Sequence, residues 1–322
     1  MRLDNMRESS NVEDSRGEGG GFGFPGGGNS GFGGGGGGGI GMLLPLLLNT
    51  IGFRGVIILA ILYFGIKMFT GVDLINIVNG GGGGISMPDV TTSQTLPGTK
   101  TSGQQATAND PQEVVVSKVL ASTEDVWTQI FSQMGKQYTA PKLKLFSQYT
   151  QSGCGTAQSA TGPFYCPSDQ KVYLDMDFFA QMKNQLGIPG DFPQAYVIAH
   201  EVGHHVQKLL GISDQVEEAQ QRGSKVDANH LSVKLELQAD CYAGIWTTAA
   251  NTAHSFLDNG DIEEALNAAS QIGDDRLQKA QGGRVVPDSF THGTSAQRQK
   301  WFKTGLNAKS LNDCDTFSSS NL

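Results

Sequence analysis

Two tracts of glycine divide this chain of 322 residues into parts that can and cannot build a packed core. Residues 17–41 hold 17 glycines and residues 80–84 hold five more, which together make 22 of the 44 in the chain. Glycine has no side chain to bury. A collagen repeat is absent, and the 38% hydrophobic content is too high for a wholly disordered chain. The sequence therefore predicts a disordered tail at 1–41 and a globular domain at 111–322.

The stretch between the glycine tracts is apolar. Only Arg54 and Lys67 carry charge between residues 40 and 72, and the densest part, 51–71, is long enough to cross a bilayer core of roughly 30 Å. A signal peptide would lie within about the first 30 residues and end in a small-residue cleavage site, and a buried helix here would have no core to join. We therefore expect a membrane anchor region at 42–72 with one span at 51–71.

Basic residues are more frequent before this span than after it. Arg2, Arg7, Arg16 and Arg54 lie on its N-terminal side, whereas Lys100 is the first basic residue after Lys67. This bias predicts a cytoplasmic N-terminus and an extracytoplasmic domain. Residues 79–110 are rich in glycine, serine, threonine and proline, and we interpret them as a flexible linker.

The globular domain is predicted to be mainly helical with a few strands. The patterns indicate a helix at 111–135, strands at 142–149 and 171–175, and helices at 178–186, 193–210, 229–256 and 261–281. This order is typical of an α+β fold. The net charge of −8 and the lack of a basic stripe argue against nucleic acid as a partner. Oligomeric state is left open.

Four cysteines fall in this domain, and none of them forms a CxxC pair. Cys154 and Cys166 enclose a short loop rich in turn residues, and on the outer face of a membrane we expect them to form a disulfide. Two alternatives stay open for Cys241: a bond to Cys314, or a place as a small buried apolar residue.

The segment AYVIAHEVGHHVQKLLG, residues 195–211, contains the pattern HExxH. On a helix, His200 and His204 lie one turn apart on the same face and can bind one Zn²⁺. Glu201 is offset by one position, so its carboxylate can take a proton from a water that the metal activates. The alternative is a surface helix with fortuitous histidines, and the apolar flanks argue against it. We expect the adjacent His205 to pack in the structure rather than bind metal.

A catalytic zinc site needs a third protein ligand. The metzincin extension HExxHxxGxxH is absent, because positions 207 and 210 are glutamine and leucine. About 30 residues downstream, however, stands ExxxD on an otherwise apolar helix. We expect Glu236 to be the third ligand, since an inward carboxylate needs a partner. Asp240 would then accept a hydrogen bond from the far nitrogen of a ligand histidine, most simply His200.

Further motifs accompany these, among them MRLDNMRESSNVEDSRG, CGTAQSATGPFYCPSDQKVYLD, ELQADCYAG, GDDRLQ, FTHGTSAQRQKWF and CDTF. In this combination the chain resembles the YpfJ-type neutral zinc metallopeptidase family over nearly its whole length outside the glycine tracts. HEVGH with ELQAD is more distantly similar to membrane gluzincins of the HtpX and CAAX-prenyl-protease kind. Their later THP-x4-R motif corresponds here to Thr291, His292, Gly293 and Arg298, with glycine in place of proline.

The resemblance implies a zincin-like peptidase fold and zinc as cofactor. A peptidase also needs a donor for the oxyanion that forms during hydrolysis. We expect His292 in that role, with Arg298 orienting it or donating as well, and Tyr165 as a weaker candidate. The strand at 171–175 is predicted to be the edge strand that pairs with an extended peptide. We interpret Gly273-Asp274-Asp275-Arg276 as an ion-pair and helix device.

These observations favour a membrane-anchored zinc metallopeptidase that acts on a peptide or protein substrate. Two alternatives stay open. One is a non-catalytic, zinc-stabilised scaffold of the cell envelope, which would have no need of Glu201. The other is a zinc hydrolase that acts on a non-peptide amide, which the sequence does not separate from a peptidase.

Overall fold

The computed structural model describes residues 1–16, 110–185, 187–188, 190–280, 282–319 and 322. The glycine tracts, the predicted membrane region at 42–72 and all but the last residue of the predicted linker at 79–110 lie outside these residues, so the predictions made for them stay predictions. Within the described ranges, no helix is both long and apolar enough to cross a membrane.

Helices supply most of the ordered structure in the described residues. They are α1 (Pro111–Gln133), α2 (Met176–Gln185), α3 (Phe192–Leu209), α4 (Ile212–Arg222), α5 (Lys225–His254), α6 (Asp261–Gln271), α7 (Asp274–Ala280) and α8 (Ser295–Leu306). The strands are β1 (Val12–Asp14), β2 (Lys142–Phe146), β3 (Tyr149–Ser152), β4 (Gly155–Gln158), β5 (Phe164–Cys166) and β6 (Lys171–Asp175). A mainly helical domain with a small sheet agrees with the predicted α+β class.

Four of the strands form one sheet in the order β1-β2-β6-β5. Strands β1, β2 and β6 run parallel, whereas β5 runs antiparallel to β6. Strands β3 and β4 form a separate hairpin. The prediction that the strand at 171–175 lies at an edge is wrong, because β6 is hydrogen-bonded on both sides. The edge next to it is β5, a strand too short for its sequence pattern to predict.

The first 16 residues belong to the folded domain, which corrects the prediction of a disordered tail for this part of 1–41. Strand β1 pairs with β2, and Arg7 bonds to Glu124 and Asp125 on α1. The buried guanidinium of Arg16 contacts carboxylates on both sides of the undescribed segment, namely Asp14, Asp110 and Glu113. The glycine tract that follows gave no sign of this packing, since the partners lie more than 90 residues away.

This packing also bears on the predicted orientation. Residues 1–16 and 110–322 belong to one compact unit. The orientation derived from the basic residues placed these two segments on opposite sides of a membrane, which does not fit a unit in which they pack together. Arg2, Arg7 and Arg16 instead have partners within the domain, since all three form ion pairs with its carboxylates.

Helices α3 and α5 form the centre of the domain and carry the two metal-site motifs. Tyr196 and Val202 of α3 and Trp246 of α5 are buried in one hydrophobic core. The helices approach closely at Gly203, where a Cβ atom would lie 3.1 Å from the carbonyl oxygen of Ala239. The glycine of HEVGH therefore allows the backbone of one motif to contact that of the other.

Two disulfides cross-link the described residues. Cys154 is bonded to Cys166, as predicted, which joins the turn of the β3–β4 hairpin to the end of β5. Cys241 is bonded to Cys314, so the first of the two alternatives for Cys241 is the correct one. This second bond fastens the C-terminal segment to α5.

The element boundaries differ from the predictions in several other places; for example, the strand predicted at 142–149 ends at Phe146, and the helix predicted at 229–256 begins at Lys225. The helix predicted at 261–281 is two helices, α6 and α7, which are separated at residues 272 and 273. Ser295 at the start of α8 packs against Gly273, where it leaves no room for a side chain. Helix α4, at 212–222, lay in a polar stretch that was not assigned. Most of its residues are polar, and Val216 is the one buried residue that it contributes, so the sequence offers few apolar positions from which to predict a helix here.

Candidate metal and catalytic site

The structure brings His200, His204 and Glu236 together as the sequence predicted. The Nε2 atom of His200 lies 3.2 Å from one carboxylate oxygen of Glu236, and the Nε2 atom of His204 lies 3.3 Å from the other. Ligand atoms of all three residues lie within 4.8 Å of one another. A tetrahedral zinc ion with bonds of about 2.0–2.1 Å holds its ligand atoms roughly 3.3 Å apart, so the arrangement fits zinc.

The outer nitrogen of His200 faces a buried, charged network. Its Nδ1 atom lies 2.8 Å from Asp240, the contact that the ExxxD motif led us to expect. Arg298 donates two hydrogen bonds to Asp240, of 2.8 and 2.9 Å, and the hydroxyl of Tyr196 donates another. The carboxylate therefore has four donors around it and can hold the His200 ring with its proton on Nδ1.

The carboxyl group of Asp240 stays ionised although it is buried. Burial by itself would raise the pKa of the carboxyl group, but the guanidinium of Arg298 and the hydrogen bond from His200 outweigh burial and hold the pKa at about 2. Asp240 is 0% exposed, so its charge depends on these partners. Removing one of them would leave a buried charge without compensation.

Glu201 faces the same cavity as the metal-ligand residues but does not belong to their cluster. The cavity has a volume of about 440 Å³. Besides these side chains, the residues that line it include Gly162, Phe164, Tyr165, Phe178, Val197, Ile272, Leu277, His292 and Arg298. Because Glu201 faces the cavity without being one of the metal-ligand residues, it can exchange a proton with a molecule in the cavity while those residues stay in place.

His292 lines the cavity but is oriented by a residue other than the predicted one. Its Nδ1 atom lies 3.1 Å from Asp274. Asp274 also accepts hydrogen bonds from the backbone amides of residues 291, 292 and 293, which fixes the loop. The hydrogen bond with Asp274 raises the pKa of His292, although burial opposes it. Arg298 hydrogen-bonds to Asp240 rather than to His292, so of its two expected roles the orientation of His292 is not seen, while its role as a second donor stays a prediction.

The glycine that replaces proline in this loop has a structural reason. Gly293 has a φ of +86°, in the left-handed region that proline cannot adopt. A Cβ atom at this position would also lie 3.2 Å from Val233 and 3.3 Å from Leu237 on α5. The loop therefore reaches the site with a different backbone from the one a proline would give.

The hydroxyl of Tyr165, the weaker oxyanion candidate, is hydrogen-bonded to His205. The Nε2 atom of His205 donates to the carbonyl oxygen of Thr139 at 2.7 Å, so Nδ1 is left to accept from the Tyr165 hydroxyl at 3.1 Å. Burial lowers the pKa of His205 and keeps the ring neutral. As expected, His205 is a packing residue, and it fastens the edge strand β5 to the HExxH helix.

Comparison with known proteins shows which family the chain belongs to. The profile of the family described as "putative neutral zinc metallopeptidase" matches residues 1–317. The chain belongs to this family. It is 45% identical to the uncharacterized protein YpfJ of Escherichia coli over 99% of the chain and 100% of that protein. It is also 42% identical to an uncharacterized protein of Mycobacterium bovis, over 68% of the chain and 76% of that protein. No solved structure matches.

The family gives zinc as the metal, and the donor set of two imidazoles and one carboxylate agrees with that. Three site residues were missed in the sequence. Tyr196 lies one turn before His200 on the same helix face, so helical spacing could have identified it. Asp274 stands in a motif that we noticed but interpreted as structural. Gln207, whose side-chain oxygen lies 2.9 Å from the Nδ1 atom of His204, had no sequence signal beyond its place three residues after His204.

Proposed function

We propose that this protein is a zinc-dependent peptidase, as the family description and the site together favour. The observation that carries the proposal is that Glu201 faces one cavity with a zinc-type ligand set while taking no part in that set. A purely structural zinc site has four protein ligands and needs no neighbouring base, which speaks against the scaffold alternative.

The residues around the cavity suit the steps of amide hydrolysis. A zinc ion on His200, His204 and Glu236 would lower the pKa of a bound water and polarise a carbonyl group. Glu201 then takes a proton from the attacking water and delivers it to the departing amine. Since Asp274 binds the Nδ1 side of His292, the Nε2 side is left to donate to the oxygen of the scissile carbonyl.

The edge strand β5 favours an extended peptide as the substrate over a non-peptide amide. Phe164 and Tyr165 of β5 line the cavity, and β5 pairs with β6 alone among the described strands. Its other edge can therefore hydrogen-bond to a peptide backbone laid beside the ligand set. The apolar side chains of Phe178, Val197 and Leu277 suit a hydrophobic residue near the bond that is cut.

The experiment that tests this function is a comparison of two glutamate-to-glutamine variants on a peptide library. Glu201→Gln removes the base and keeps the shape, so it should retain zinc and lower hydrolysis at least about 100-fold. Glu217→Gln on the exposed face of α4 is the matched control and should act as the wild type. Equal cleavage by Glu201→Gln and wild type would refute the proposed base. No cleavage by wild-type, zinc-loaded protein would favour a non-peptide substrate.

We also infer that the domain lies outside the cytoplasm. Two disulfides in the described residues suit an oxidising compartment. Since residues 1–16 pack in the same unit, the N-terminal segment would lie there as well. This differs from the orientation expected from the basic residues. The membrane anchor at 42–72 stays a prediction.

Cysteine labelling in spheroplasts tests this location. All four native cysteines are paired, so a cysteine introduced at exposed Ser10 or exposed Glu217 gives a clean signal. A membrane-impermeant maleimide should label both variants before lysis. Labelling of only one would contradict the shared side, and labelling of both only after lysis would contradict the extracytoplasmic location.

A further inference from the structure

The second ligand histidine has a support of its own, which differs from the Asp240 network. The Nδ1 atom of His204 lies 2.9 Å from the side-chain oxygen Oε1 of Gln207, one turn later on α3. A histidine that binds a metal through Nε2 carries its proton on Nδ1. That proton needs an acceptor, and the amide oxygen of Gln207 is in place to be one.

The amide of Gln207 can take only one orientation. Its Nε2 atom donates to the backbone oxygen of Leu235 at 2.8 Å and to Oε1 of Gln238 at 3.1 Å. A flipped amide would place its oxygen against the Leu235 carbonyl and turn its NH₂ group towards the Nδ1–H of His204. Oε1 is therefore the atom that faces His204. Leu235 directly precedes Glu236, so this one amide joins both metal-ligand helices.

The chain of hydrogen bonds ends at a disulfide. Gln238 donates from Nε2 to the backbone oxygen of Cys314 at 3.0 Å, and Cys314 is bonded to Cys241 on α5. Gln207, Cys241 and Cys314 are 0% exposed and Gln238 is 4% exposed, so water offers these groups no replacement partner. Every oxygen in the series accepts and every NH₂ group donates, which leaves a single arrangement with all groups satisfied.

We propose that Gln207 is a positioning residue for zinc binding, which holds His204 with Nε2 towards the metal and is itself held by Gln238 and the Cys241–Cys314 cross-link. The proposal rests on the zinc site described above. It concerns the affinity for the metal and the geometry around it rather than the peptide bond. Substitution at Gln207 should raise the zinc dissociation constant about 10- to 100-fold, the range found for groups that hydrogen-bond to a metal ligand.

The test measures metal binding in the full chain by competition with a chromophoric chelator. Gln207→Met keeps the length of the side chain and removes the acceptor, so zinc affinity should fall by the stated factor. Gln238→Met should weaken binding less, since Gln207 keeps its bond to Leu235. Because Gln238 acts through Gln207, the double variant should bind zinc no more weakly than Gln207→Met alone. Gln221→Met on exposed α4 is the matched control.

Two further measurements separate this role from a purely structural one. The absorption spectrum of the Co²⁺-loaded protein should change in Gln207→Met and stay as in the wild type for Gln221→Met. Thermal unfolding of the metal-free variants reports on folding alone. Wild-type zinc affinity in Gln207→Met would overturn the proposal, as would additive losses in the double variant, or a loss of thermal stability with an unchanged Co²⁺ spectrum. Absence of zinc binding in the wild type would instead refute the site itself.

Discussion

The two histidine ligands are supported in opposite ways. His200 is held by Asp240, whose buried charge is balanced by Arg298. His204 is held by the neutral amide of Gln207. Both arrangements fix the ring proton on Nδ1, but a buried charge depends on its partners far more than an amide does. The two halves of the site should therefore respond differently to the loss of one contact.

The largest effect is expected from Arg298→Met, which removes the guanidinium partner of the buried, charged Asp240. We expect the free energy of unfolding of the metal-free protein to fall by about 3–5 kcal/mol, measured by urea unfolding. Arg222→Met, on an exposed ion pair with Glu218, is the control and should change it by less than about 0.5 kcal/mol. Equal small changes in both variants would mean that the network does not hold Asp240 as described.

Gln207→Met, which removes the neutral support of His204, should lower the free energy of unfolding less than Arg298→Met does. The variant removes the donor from the partly buried Leu235 carbonyl and from the buried Oε1 atom of Gln238, a loss of about 1–3 kcal/mol. The two variants therefore compare the loss of a neutral support with the loss of a charged one. If Gln207→Met destabilised the protein as much as Arg298→Met does, charge would not be what distinguishes the two supports.

The smallest effect is expected from Asp274→Asn, which acts on His292 at the open side of the cavity. Because Asp274 takes the Nδ1 proton, Nε2 of His292 can donate only while the ring is protonated. The pKa of His292 is raised above its usual value, so activity should fall only when the pH rises past that raised value. Asn at this position should lower the pKa and move the alkaline limb of the pH–rate profile to lower pH. An unmoved limb would show that His292 is not the titrating donor.

The sequence predicted those site residues whose relative positions follow from the geometry of a helix. His200 and His204 are one helical turn apart, as are Glu236 and Asp240, so the face that each pair shares follows from the helix period. The contact between His200 and Asp240 followed from the need to orient a metal ligand. The strand at 171–175 was likewise predicted with its observed bounds, whereas the strand predicted at 142–149 ends at Phe146.

The other parts of the site depend on contacts between residues that lie far apart in the sequence. Asp274 reaches His292 across 18 residues, and Arg298 reaches Asp240 across 58. Strand β1 pairs with residues about 130 positions away, behind a glycine tract that indicated disorder. Each of these contacts is decided by tertiary packing, and a single sequence contains no local signal for it.

The most direct test of the central claim is the zinc content of the purified full-length protein. We predict about one zinc per chain for the wild type, and the same content for Glu201→Gln, because Glu201 lies outside the ligand set. Replacement of both His200 and His204 by alanine should abolish binding while Glu217→Gln keeps it. Full retention of zinc by the double histidine variant would contradict the assignment of the site.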